Sequence, residues 1–160
     1  YLMKNFTKYF ISIFFVGSIG KFPGTIASIV SIIILYPLFV LNYFNWIILT
    51  AIFIFLTLFS LYAIHTYSKE TNTHDSKFIV IDEFLGIYLI FLFYNYIFIY
   101  NNFITIFLIF LLFRFFDITK IYPANIIDKK MLNAFGVIID DLIASVYTIL
   151  TLLILNEFIK

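Results

Sequence analysis

Five apolar runs, residues 26–41, 46–64, 84–100, 103–116 and 137–155, take up most of this chain. Between them they carry only three charged residues, Arg114, Asp140 and Asp141. Written as helices at about 1.5 Å per residue, these runs approach the roughly 30 Å thickness of a bilayer's hydrocarbon core. A 160-residue chain that is 64% hydrophobic and 12% charged, with a mean hydropathy of +1.09, cannot hide so many apolar faces in one soluble core. The bilayer must solvate most of its surface, and helices satisfy their own backbone groups there. The expected fold is therefore all-α: an integral membrane bundle of about five apolar helices, forming a single domain over residues 1–160. An N-terminal interfacial or re-entrant helix is added over residues 1–19, where Lys4 and Lys8 interrupt the apolar pattern and Gly17 ends it too early for a span.

Composition removes several function classes. The absence of cysteine excludes disulfides, thiolate metal sites and cysteine-nucleophile phosphatase chemistry. A net charge of +1 with scattered lysines gives no field for nucleic acid. No small-residue cleavage site follows the first apolar run, so insertion through internal segments is expected rather than a cleaved leader.

The connections sort into two kinds. Residues 42–45 and 101–102 are short and uncharged and close helical hairpins, whereas residues 65–83 and 117–140 are long and charged and must share the opposite side. If the helix from Ile26 starts on that side, alternation gathers Lys21, Lys69, Lys77, Lys120, Lys129 and Lys130 there. The lysine bias makes this face cytoplasmic in a plasma (inner) membrane, with the protein crossing several times. Lys129 and Lys130 read as an ordinary basic belt.

Alternation also collects the chemistry at one end. The stretch from Arg114 to Asp141 holds the single arginine and four of the nine acidic residues. Arg114, Asp117 and Lys120 are spaced three apart, which is one helical face. Asp82 and Glu83 precede one apolar run, and Asp140 and Asp141 lie about a turn inside another. Taken singly, each pair reads as first-turn acids complementing a helix dipole. Together with Asp117 they form an oxygen-only ligand set suited to a hard cation, Mg²⁺ before Zn²⁺. Lys21, Arg114 and Lys120 are positioned to hold phosphate oxygens, Arg114 by a bidentate fork. The GKFPGT turn, residues 20–25, adds backbone amides at a helix start, with Thr25 as the expected N-cap. His65 and His74 have no ligand spacing and receive no metal role.

These motifs, in this order, resemble the phosphatidylglycerophosphatase A family: GSIGKFPGT, Asp75 followed by IVIDEFLG, FRFFDITKI and GVIIDDLIAS. The resemblance covers nearly the whole chain. It implies a helical membrane bundle, Mg²⁺-dependent removal of the terminal phosphate of phosphatidylglycerophosphate, and a lipid substrate drawn from the membrane. The family's acidic residues fall on Asp82, Glu83, Asp117, Asp140 and Asp141, which it implies as catalytic and metal-binding. Its phosphate-binding positions fall on Lys21, Thr25, Arg114 and Lys120. Ile121 stands where the family usually has proline, Ala134 and Phe135 replace part of a glycine-rich turn, and Ser145 replaces a glycine. None of these departures removes a carboxylate or a cation.

The attacking group is left open between a metal-bound water and the carboxylate of Asp117, Asp140 or Asp141. The chief alternative is a transporter or channel using clustered carboxylates for cations, but such sites lie near the midplane on broken helices, and here the charges sit at helix ends. A small assembly protein whose acids serve only as caps is the third reading. CDP-alcohol phosphatidyltransferases need a DG-containing array that is missing here, and lipid phosphatases of the vanadium-haloperoxidase type need several arginines.

Overall fold

The computed structural model describes residues 2–40, 44–71, 73, 76–99 and 101–159, with the side chains of residues 2–5 and 159 left aside. Among the described residues every regular element is helical. In chain order these are α1 (Leu2–Ile11), a single 3-10 turn (Val16–Ser18), α2 (Pro23–Val40), α3 (Trp46–Thr71), α4 (Ile81–Leu92), α5 (Tyr94–Ile97), α6 (Asn102–Thr119), α7 (Ala124–Lys130) and α8 (Ala134–Ile159). Asp75, His74 and Lys160 lie outside the described residues.

Among the described residues, four helices are long and apolar enough to cross a membrane: Pro23–Val40, Trp46–Thr71, Asn102–Thr119 and Ala134–Phe158. Their outward faces carry exposed Ile47, Phe55, Leu58, Phe107 and Ile154. In water such a surface would drive aggregation, whereas lipid chains match it.

The expected fifth helix is shorter than its apolar run. Residues 84–100 are divided at Phe93, giving the 12-residue α4 and the four-residue α5. Tertiary hydrogen bonds outweigh the apolar continuity at this break. The Trp46 indole donates to the Leu92 carbonyl at 3.2 Å. Beyond the end of α5 the Thr105 hydroxyl donates to the Ile99 carbonyl and accepts from the Ile99 amide, each at 2.9 Å, so the helix is not resumed there. Backbone freed from a helix inside a membrane protein is tolerated where other protein groups take up its bonds.

α4 is instead the central post of the bundle, packed against α2, α3, α6 and α8. Eight of its 12 residues are buried, as expected of a helix that is apolar all round. Gly86 permits this packing, because a Cβ there would stand 2.7 Å from the Phe113 ring of α6 and 2.9 Å from the Ser145 hydroxyl of α8. The core around α4 includes Leu35, Ile87, Phe91, Ile109, Phe113 and Leu152.

Two local expectations are corrected. The N-terminal helix stops at Ile11, well before Gly17, because Ile13, Phe14 and Phe15 turn left-handed with φ of 48°, 52° and 69°. The Ser12 hydroxyl holds this turn, donating to the Lys8 carbonyl at 2.7 Å and accepting from the Phe15 amide at 3.0 Å. Thr25 is not the N-cap of α2. That helix begins at Pro23, whose fixed φ and missing N–H suit a first helical position, so Thr25 lies half-buried inside the first turn.

Candidate active site

The chain's course brings the starts of α2, α4 and α8 and the end of α6 to one end of the bundle. A cleft of about 470 Å³ opens there, lined by Asp82, Glu83, Arg114, Asp117, Lys120, Asp140 and Asp141, with Lys21 also on its lining. Eight of the nine site residues expected from sequence thus share one cavity. Thr25 is the exception and does not line it.

Inside the cleft the residues divide into two groups. One carboxylate oxygen from each of Asp82, Glu83 and Asp141 lies within 4.8 Å of the others. Asp82 Oδ1, Glu83 Oε2 and Asp141 Oδ2 are all buried without a hydrogen-bond partner. Three carboxylates at this separation, each with one bare buried oxygen, repel one another and have given up hydration. Burial, then the neighbouring Glu83 charge, pushes the Asp82 carboxyl well above its usual range; burial also raises that of Glu83. A hard cation taking oxygen ligands relieves both penalties at once, so this donor set fits Mg²⁺.

The second group is already paired. Arg114 Nη1 donates to Asp117 Oδ2 at 2.5 Å and lies 3.9 Å from Glu83 Oε1. Its Nε is buried and has no partner. Lys120 Nζ bridges Asp128 Oδ1 at 2.5 Å and Asp140 Oδ2 at 2.8 Å. Burial works to lower the Lys120 pKa, but these two ion pairs outweigh it and hold the ammonium above its ordinary value. Lys120 adopts a left-handed backbone with φ 43° as the C-cap of α6, which turns its side chain out of the α6 register toward α7 and α8.

Local sequence explains the positioning. Arg114 and Asp117 are one turn apart on α6, so their pairing is intrahelical. Asp82 and Glu83 occupy the first turn of α4, whose entry is pinned where the Val80 amide donates to the Ile11 carbonyl at 2.9 Å. Asp140 and Asp141 stand in the second turn of α8, only 8% and 4% exposed, too deep to serve as solvated first-turn acids.

Three contributors escaped the sequence reading. Asp128 follows no helical period from Lys120, because the left-handed cap intervenes, and the DKK context of residues 128–130 suggests plain surface. Lys77 lines the cleft from the loop before α4. Gly24 reads as a turn glycine, yet a Cβ there would collide with Glu83 Oε1 and stand 3.2 Å from Arg114 Nη1. His65 is exposed on α3, away from the cleft lining.

Comparison with known proteins agrees with this geometry. The family model described as Phosphatidylglycerophosphatase A matches residues 9–156. A Haemophilus influenzae protein of that name is 31% identical over 135 residues, covering 84% of this chain and 78% of the relative. An Escherichia coli protein of the same name is 26% identical over 124 residues, covering 78% and 68%. No solved structure matches. A family match running almost end to end, together with the Haemophilus likeness over most of both chains, places this chain in the phosphatidylglycerophosphatase A family.

Proposed function

We propose that this protein hydrolyses the terminal phosphate monoester of phosphatidylglycerophosphate, releasing phosphatidylglycerol and inorganic phosphate, with Mg²⁺ held by Asp82, Glu83 and Asp141. The observation that carries the reading is the set of buried, unpartnered carboxylate oxygens converging beside Arg114 at one end of a membrane bundle. The family's name supplies the substrate.

Bound to these carboxylates, Mg²⁺ would neutralise phosphoryl charge and make a water more acidic. The chain's own groups do the rest. Arg114, oriented by Asp117, offers its free Nε–H to a phosphoryl oxygen as negative charge develops there. Asp140 is paired with Lys120 and fixes that ammonium at the cleft, with Asp128 holding it from the other side. Asp117 and Asp140 therefore serve as anchors for cations in this scheme, beside the three metal-holding acids. Lys21 is exposed on the rim and meets the anionic headgroup there, while Thr25 acts only through the first turn of α2.

The lysines at this end, Lys21, Lys69, Lys77, Lys120, Lys129 and Lys130, favour a cytoplasmic cleft in the plasma membrane. A cation-conducting role finds less support, since the strong charges of the cleft lie in loops or within two turns of a helix end and none sits at the middle of a long helix.

The test is phosphate release from phosphatidylglycerophosphate by the detergent-solubilised protein, with Mg²⁺ or with excess chelator. Release in Mg²⁺ that chelator abolishes is expected. Folded protein that releases no phosphate sinks the reading, and undiminished release in chelator sinks its metal.

A further inference from the structure

The cleft is not uniform from floor to rim. Its acids and two of its cations are engaged or buried, whereas Lys21 and Lys77 are exposed on its lining and form no ion pair among the described residues. They come from two segments that pack together, since the Phe15 ring meets the Phe78 ring at 6.3 Å. The same rim carries three large exposed apolar side chains, Phe22 at 73%, Ile118 at 69% and Leu132 at 63%. Ile118 lies in the last turn of a membrane-crossing helix, so the apolar rim is continuous with the lipid-facing surface.

We infer that the rim is a second anion subsite, in which Lys21 and Lys77 bind the inner phosphodiester of the substrate while its terminal phosphate sits on the floor. This rests on the phosphatase reading above and deepens it. A lipid of that class carries two phosphates separated by one glycerol, with the acyl chains attached beyond the diester. Its chains must stay at the apolar rim, which puts the diester beside the free lysines and leaves the glycerol to carry the monoester inward to the carboxylates and Arg114. Two unpaired ammonium groups suit a phosphodiester, because each is a point charge with rotatable donors that needs no fixed fork. The enzyme would then recognise its substrate by two phosphates a glycerol apart, and would hold the product through the diester that hydrolysis leaves intact.

The test separates the two subsites by competition. Phosphatidylglycerol retains the diester and inorganic phosphate represents the terminal group, so each serves as an inhibitor of phosphate release in detergent. Lys77→Gln is expected to raise the inhibition constant of phosphatidylglycerol about tenfold, the order lost with one charge-assisted hydrogen bond. It should leave that of inorganic phosphate unchanged, and Lys77→Arg should restore the wild-type value. The double variant with Lys21→Gln should weaken phosphatidylglycerol further. Failure of phosphatidylglycerol to inhibit the wild type, no effect of Lys77→Gln, or an equal effect on both inhibitors would overturn the second subsite while leaving the phosphatase reading standing. Absence of wild-type turnover would overturn that reading and the subsite with it.

Discussion

Asp141→Asn is expected to lower kcat by about a thousandfold, roughly 4 kcal/mol of transition-state stabilisation, while making the metal-free protein more stable. The two effects have one cause. Asp141 is 4% exposed, has a buried oxygen without a partner and shares its site with Asp82 and Glu83. Without a cation, three buried carboxylates repel one another, so neutralising one relieves the folded state. With a cation, the same substitution removes a ligand. In chelator the variant should unfold a few degrees above wild type, the shift that about 1 kcal/mol produces in a chain of this size, and added Mg²⁺ should stabilise wild type more than the variant. If the acids were only helix caps, the variant would lose stability and keep its turnover. Phosphate release and detergent-phase thermal unfolding, measured on the same preparation with and without Mg²⁺, decide between the two.

Gly24→Ala should cut kcat/KM by about a hundredfold, although it adds one methyl group and touches no charge directly. The new Cβ would occupy the place of Glu83 Oε1 and press on Arg114 Nη1 at 3.2 Å, so a ligand and a phosphate-binding group must both move. A displacement near 1 Å in a reacting array costs on the order of 10²-fold. The alanine itself is favourable in the first turn of α2, and global stability should change little. Activity close to wild type would mean that Glu83 stands elsewhere when the enzyme works.

The membrane bundle and the end of it that carries the chemistry were legible in the sequence because both follow from periodic or additive properties. Apolar run length sets the spans, and alternation of short and charged connections sets their sides. The fate of the run from Phe84 was not legible, since nothing within it predicts that Trp46, far away in sequence, will take up the Leu92 carbonyl at its break. In the site, residue type alone pointed to the acids and cations. Their division into three acids that each keep a bare buried oxygen and two held in close ion pairs depends on side-chain direction. The left-handed turn at Lys120 directs its ammonium to Asp128 and Asp140, and no spacing rule encodes that. Thr25 misled because a threonine after Pro-Gly looks like a cap, whereas the proline itself opens the helix.

The central claim is that Asp82, Glu83 and Asp141 together hold a divalent cation. It is tested most directly by titrating Mn²⁺, an octahedral oxygen-seeking stand-in for Mg²⁺, into the detergent-solubilised protein and following bound metal by electron paramagnetic resonance. Wild type is predicted to bind Mn²⁺ tightly enough to be competed by Mg²⁺, and a folded variant combining Asp82→Asn with Asp141→Asn is predicted to lose that binding. Equal Mn²⁺ binding by the folded double variant and the wild type would contradict the account.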